Sequence, residues 1–526
     1  MMLLSRENCS IFKNRILNSF LTIILILCVF SGCAKDKNGG TALSHRILGS
    51  DLEIHTEVLA SDAFDGRMVG TDGIELAEKY LAKRYTEAGL SYIPNEDDYF
   101  LEFPVYEYGF DDDKTMMSIF SGDGTTLIAH SGLDGNFKPF YFSGSGSIES
   151  EVVFAGYGIT APEYEYDDYA ELDVEGKIVF VLRHEPNEND PSSKFAGKEM
   201  TRHAYFTRKA ENAHEHGAKG MILITDPLHH DITADLPLVM ETLSLSPDES
   251  LYSGSQRADI PDNFIALYTG QAFINTIMDY YGIDLAEVQR KLDSGTSPHE
   301  LDFPIFKAAV EVSKQDSPRE LIVRNSVAMV TGTAAPENWV VIGAHHDHLG
   351  SYEGEGDTIY NGADDNASGV SAVLELAHYF AQRPPAVSLL FMTFSAEEQG
   401  LLGSRAVFEH DLLPEDPISL MINIDMIGRN PDRPVTVTVN GVTEKLRSSI
   451  HEAAEKQGID IRFRSSGRRY LSDYSSFQEQ GIPVISFFTG LHDDYHKPSD
   501  ESDKLGYDRM EKIVKTVQTI IERIEP

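Results

Sequence analysis

The residues Trp339-Val340-Val341-Ile342-Gly343-Ala344 form an apolar run that passes without a break into His345-His346-Asp347-His348. A short, continuous apolar run of this kind predicts a strand buried on both faces. Charged, metal-capable groups at the C-terminal end of a core strand are costly to place unless something binds them. Any fold for this chain therefore has to bring partners to that strand end.

From about residue 326 strand and helix patterns alternate. Strands are predicted at 340–344, 387–394, 420–424 and 484–488, with helices at 367–380, after Glu398 and at 444–457. This alternation predicts an α/β domain built on a mixed, largely parallel sheet with helices on both faces. Near the N-terminus, Asp72 with Glu75 reads as a capping box, and the apolar spacing from Ile74 to Ala88 predicts a helix that stops at Gly89. Between about 110 and 310 the texture changes. Strands at 152–158, 178–182 and 220–225 and a helix at 205–216 predict a smaller α/β module, with the Ser- and Asp-rich stretch 243–257 as a loop. His203, His214, His216, His229 and His230 show no ligand pattern there and read as surface residues.

Ligands in such sheets bind beyond the carboxyl ends of the strands, so each strand end matters. The first ends in His345-His346-Asp347-His348, and a glycine-rich loop then brings Asp364-Asp365 to a helix start. The next strands end in Glu397-Glu398 and Asp425, and His492-Asp493-Asp494-Tyr495-His496 follows the last. Each place carries a group able to bind a divalent metal. If strand alternation persists past Ala344, His345 and Asp347 share one side while His346 and His348 face the other. His345 is then the ligand candidate, and Asp347 the carboxylate that accepts its second ring proton. Either Asp364 or Asp365 is placed to bridge two cations, and the Glu397-Glu398 pair allows one ligand beside one base.

The motifs Ala344-His345-His346-Asp347-His348, Gly362-Ala363-Asp364-Asp365-Asn366-Ala367-Ser368-Gly369, Ala396-Glu397-Glu398-Gln399-Gly400, Asn423-Ile424-Asp425-Met426 and Tyr495-His496-Lys497-Pro498-Ser499-Asp500 together resemble the M28 family of zinc peptidases. That resemblance implies a zinc exopeptidase fold with two Zn2+ ions bridged by Asp365. It implies His345 and Asp425 as ligands of one ion, and Glu398 and His496 as ligands of the other. Glu397 is implied as general base to a zinc-bound hydroxide, Asp347 as the partner of His345, and Tyr495 as a donor to the oxyanion. Ser472-Asp473-Tyr474 departs from the family's usual Ser-Asp-His. Residues from about 144 to 227 resemble a protease-associated (PA) domain, and Asp62, Gly66-Arg67 and Gly70-Thr71 resemble the segment that packs back on the catalytic domain. The implied division is 45–110 as the N-terminal part of the peptidase domain, 111–310 as the PA-like insert, and 311–526 as the catalytic zinc peptidase domain.

Charge narrows the partners. With 84 acidic and 44 basic residues the net charge is −40, which excludes a nucleic-acid ligand held by a basic face. Cys9, Cys28 and Cys33 are the only cysteines. Basic residues followed by the apolar run 20–30 and Ser31-Gly32-Cys33 resemble a lipoprotein signal (1–33) with a lipidated Cys33, leaving 34–44 as a flexible tether. Export to the cell envelope follows, with a membrane contact through the lipid and no thiol catalysis by the mature chain. The expected activity is that of an aminopeptidase acting on peptides. The alternatives are a carboxypeptidase or other amidase on the same site, including a glutaminyl cyclase, and a non-catalytic binding protein on the same fold. Oligomeric state leaves no mark in the sequence.

Overall fold

A computed structural model describes residues 46–526 apart from 134–136, 141, 196, 198–200, 229–243, 247–259, 316–317, 352–355, 414–416 and 466–471. The leader, the tether and all three cysteines lie outside the described residues, as do His229 and His230.

The apolar run ending in His345 is the centre of a nine-stranded sheet. Its strands stand in the order Ser244–Ser246, Phe100–Tyr108, Arg319–Val330, Val387–Phe394, Ala335–His345, Ile418–Ile424, Val484–Phe488, Val435–Asn440 and Ile461–Ser465. The four strands from Val387–Phe394 to Val484–Phe488 run parallel, so their carboxyl ends share one rim. Antiparallel pairings flank them on both sides, which makes the sheet mixed. Alternate residues of the central strand feed different cores. Val340, Ile342 and Ala344 pack with the helices Gly49–Leu59, Asp72–Ala88, Gly369–Ala381 and Tyr507–Glu522. Trp339 and Val341 pack against Val407 and Phe477 of the helices Leu402–Glu409 and Tyr474–Glu479 on the opposite face. A sheet covered on both faces explains why this strand is apolar throughout.

A second, eight-stranded sheet spans Met116 to Val312 and is inserted between Phe100–Tyr108 and Arg319–Val330, which pair directly in the first sheet. Its centre is parallel, from Gly146–Phe154 through Ile178–Leu182 and Gly220–Ile224 to Ile265–Thr269. The helices Phe206–Glu215, Gln271–Tyr281 and Leu285–Asp293 accompany it.

Three local expectations change. The helix from Asp72 is capped by Thr71 without a side-chain bond, so Asp72 is its first helical residue and forms no capping box. Within 243–257, Ser244–Ser246 adds an edge strand to Phe100–Tyr108, because an exposed sheet edge is satisfied by any extended backbone. His203 is buried with Nε2 2.9 Å from Glu163, and His216 is partly covered by stacking on Tyr169, so neither is a plain surface residue.

Candidate metal centre

His345 is the last residue of the central strand and is buried. Glu397 and Glu398 follow the end of Val387–Phe394, Asp425 follows Ile418–Ile424, and His496 lies in the loop after Val484–Phe488. Asp365 comes from the loop that leads into helix Gly369–Ala381, where Gly362 takes a φ of +56° and the Asp365–Asn366 peptide is cis. A Cβ at Gly362 would sit 2.2 Å from the Asp365 carbonyl oxygen and 2.4 Å from the His348 ring, so the loop closes only on glycine.

These residues meet. The two oxygens of Asp365 face different histidines: Oδ1 is 3.2 Å from His345 Nε2, and Oδ2 is 3.0 Å from His496 Nε2. Asp425 Oδ1 lies 3.6 Å from His345 Nε2, and Glu398 Oε2 lies 3.2 Å from His496 Nε2. Ligands about 2.0–2.2 Å from a tetrahedral ion stand roughly 3.4 Å apart. His496 Nε2 and Asp425 Oδ1 are buried and form no hydrogen bond, although carboxylate or imidazole atoms lie within 4 Å of them. Buried polar atoms aimed at one another without bonding fit donors around a cation. The set fits zinc in chemistry, being imidazole nitrogens and carboxylate oxygens, and its charge fits too. Asp365, Glu397, Glu398 and Asp425 place four carboxylates against His345 and His496, an excess that is costly in low dielectric without a cation.

The same imbalance moves the pKa values. Burial pushes the Glu397 carboxyl well above its usual range, with the charge of His345 pulling against it and Glu398 adding to the rise. Burial opposes ionisation of Glu398 as well, but there the charge of His496 wins and holds it at about 2. His496 is raised to about 10, since Glu398 and Asp365 outweigh its burial.

Several positions do more or less than the sequence indicates. The Asp347 carboxylate accepts the backbone N–H groups of Glu397 and Glu398 at 3.1 and 3.2 Å, while His345 Nδ1 stands 3.7 Å from it and 3.3 Å from the Asp347 carbonyl oxygen. Asp347 therefore ties the two glutamates to the first strand end. His348 is no bystander: its Nδ1 is 2.7 Å from Glu398 Oε1. The strand stops at His345, so strand alternation no longer governs where His348 points. Its separation is that of an ordinary charge-assisted hydrogen bond, shorter than the ligand-like spacings, which makes His348 a holder of Glu398. His346 is buried, its ring nitrogens have no hydrogen-bond partner, and burial lowers it to about 3. Asp364 turns away from the centre, accepting the Gly428 N–H at 2.6 Å with its other oxygen 3.3 Å from His492.

Two residues outside the predicted ligand set hold the centre in place. Arg67 is buried and donates to the carbonyl oxygens of Leu59, His346, Asn361 and Gly362. Asp500 Oδ2 accepts the N–H groups of Asp364 and Asp365 at 3.0 and 3.1 Å. Asp500 stands in one of the quoted motifs, and Arg67 in the segment expected to pack back on the catalytic domain; its four acceptors, all backbone atoms, carry no signal of their own.

A cavity of about 100 Å³ opens beside the centre, lined by Glu397, Thr438, Arg464, Tyr474, Phe488 and Tyr495 among others. The Tyr495 ring stacks on His496, with centroids 3.7 Å apart. In the Ser472-Asp473-Tyr474 segment, Ser472 Oγ donates to Asp425 Oδ2 at 2.8 Å and Tyr474 lines the cavity wall.

Residues 325–521 match the model of Peptidase family M28, and residues 148–272 match that of the PA domain. The chain is 29% identical to YfbL of Escherichia coli over 214 residues, covering 35% of this chain and 66% of YfbL. It is 32% identical to aminopeptidase YwaD of Bacillus subtilis over 163 residues, 29% of this chain and 35% of YwaD, so the matches leave much of that relative uncovered. Among solved structures, an aminopeptidase from Aneurinibacillus sp. strain AM-1 shares the fold with a TM-score of 0.56 at 21% identity, over 90% of this chain and 93% of that one. The zinc aminopeptidase BSAP of Bacillus subtilis does so with a TM-score of 0.55 at 18% identity, over 91% and 95%. With the metal-capable strand ends in order and both family models matched, residues 325–521 form a domain of Peptidase family M28 and residues 148–272 an inserted PA domain.

Proposed function

We propose that this chain is a di-zinc aminopeptidase that removes N-terminal residues from peptides. The observation that carries the count of two ions is Asp365, whose oxygens each face a different histidine. His345, Asp365 and Asp425 would hold one ion, and Asp365, Glu398 and His496 the other. Bound zinc supplies Lewis acidity and acidifies water at neutral pH. The chain's own residues do the rest. Glu397, at the cavity wall, takes a proton on its carboxylate and returns it to the leaving amine. Asp347 fixes the backbone of both glutamates, which sets where the base and its neighbouring ligand stand. Tyr495 would donate to an oxyanion, a role supported by its position beside His496 and in the cavity wall.

Support for cleavage at the N-terminus comes from relatives named as aminopeptidases. A second reading is favoured by Arg464 in the cavity wall, since a guanidinium is suited to a C-terminal carboxylate, as in a carboxypeptidase. A peptide library with free and acetylated N-termini separates the two. The aminopeptidase reading expects loss of turnover on acetylation, and turnover abolished instead by C-terminal amidation would overturn it. Export and a lipid anchor at Cys33 complete the proposal, resting on the leader sequence alone. A Cys33→Ser protein is expected in the soluble fraction; retention in the membrane would remove the anchor from the account.

A further inference from the structure

The inserted domain repeats the arrangement of the M28 centre on a smaller scale. Its strands Ile178–Leu182 and Gly220–Ile224 are parallel neighbours, buried along their length. Each runs, two residues past its end, into a metal-capable side chain, His184 and Asp226. Glu188 follows His184 in the same loop. His184 Nδ1 is 3.2 Å from Asp226 Oδ2 and 3.4 Å from Glu188 Oε2. One donor atom from each of the three lies within 4.8 Å of the others.

A single ring N–H serves one carboxylate, and a charge-assisted bond of that kind runs about 2.7–2.9 Å. Both separations here are longer and fall near the roughly 3.4 Å edge of a tetrahedron of zinc ligands. The two histidines of the M28 centre show the same signature, each ring nitrogen facing two carboxylates at 3.2 and 3.6 Å or at 3.0 and 3.2 Å. The ordinary bond from His348 to Glu398, at 2.7 Å, does not.

Charge points the same way. Asp226 is wholly buried and its other oxygen accepts from Gln289 at 2.8 Å. Asp168 and Glu185 are buried in the same core, and the nearby Lys209 ammonium is spent on the carbonyl oxygens of Tyr157 and His184. Among the described residues these are four carboxylates beside one lysine and one imidazole, a donor set able to hold a divalent cation.

We propose that His184, Glu188 and Asp226 form a divalent-cation site in the inserted domain, suited by its nitrogen and oxygen donors to zinc or a similar borderline ion. The ion clasps the loop after one strand to the end of the next, and the site is independent of the peptidase reading. The test is metal counting by plasma mass spectrometry on the full chain, loaded with Zn2+ and dialysed against metal-free buffer. Glu188→Gln is nearly isosteric at a side chain 10% exposed, and His184→Gln serves as the second variant. Each is expected to hold one zinc equivalent fewer than the wild-type chain, with unchanged circular dichroism and unchanged peptide turnover. A wild-type count in the folded variants overturns the site. An inactive wild-type chain that still shows the one-equivalent difference would sink the peptidase reading and leave this site standing.

Discussion

Replacing Arg67 by Met tests whether the metal centre is held from outside its ligand set. The guanidinium is 1% exposed and donates to the carbonyl oxygens of Leu59, His346, Asn361 and Gly362, so it ties the loop after the central strand to the loop that carries Asp365. Leaving a buried acceptor without its donor costs about 1–3 kcal/mol, so the substitution exposes a gross loss of roughly 4–12 kcal/mol. Removing the buried charge returns part of it. Burial lowers Arg67 from 12.5 to about 10, against the pull of Asp347, Asp365, Asp500 and Glu398. At 1.36 kcal/mol per unit that is about 3 kcal/mol of desolvation recovered. Water entering the vacated space satisfies some carbonyls, which brings the expected net loss to about 4 kcal/mol. Trp339 is the only tryptophan and is buried in the catalytic sheet, so its fluorescence in a urea titration reports on this domain. Activity should fall at least about tenfold, since small displacements of reacting groups are costly. Arg67→Lys keeps the charge without the fork and should recover less than half of either loss. An Arg67→Met protein within about 1 kcal/mol of wild type, at wild-type turnover, refutes the clamp.

Three further outcomes follow from other parts of the molecule. Gly362→Ala places a Cβ 2.2 Å from a backbone oxygen at φ +56°, so the Asp365 loop should shift and metal content should drop, as counted after dialysis. Glu78 is buried beside Arg324 at 3.2 Å, and burial raises it from 4.5 to about 7. Its contribution is therefore fully present below pH 4.5 and is lost as pH rises through about 7. Between those limits the wild type should lose up to about 3 kcal/mol relative to Glu78→Gln, and parallel stability curves would contradict this. Chelation should abolish peptide hydrolysis, and Zn2+ added back should restore it; activity that survives removal of all metal would be incompatible with the proposed chemistry.

The parts of this molecule that were legible in the sequence are those governed by periodicity. The strand Val387–Phe394 falls where its continuous apolar run puts it and is buried at every position, while the helix Glu444–Gln457 buries Ile450, Ala453 and Ala454 at helical spacing. The metal-capable strand ends were legible for a related reason, since parallel strands in a doubly covered sheet must deliver their ends to one rim. What failed was extrapolation past an element's end. His348 was read by strand alternation although the strand stops at His345, and it turns to Glu398 instead. Contacts to backbone atoms leave no mark of their partners in the sequence. Arg67 reaches His346 across 279 residues and Asp500 reaches Asp365 across 135, through bonds to backbone groups that almost any residue type would offer. His184 and Asp226 carry no local motif; only the register of their two strands brings them together.

Glu397→Gln is the most direct measurement of the central claim. The variant keeps the shape of the side chain and every proposed ligand, so it should hold as much zinc as the wild-type chain. Loss of the base should lower turnover by about 10²–10⁴-fold with KM nearly unchanged. Full zinc content with turnover at the wild-type level would show that Glu397 moves no proton in this reaction.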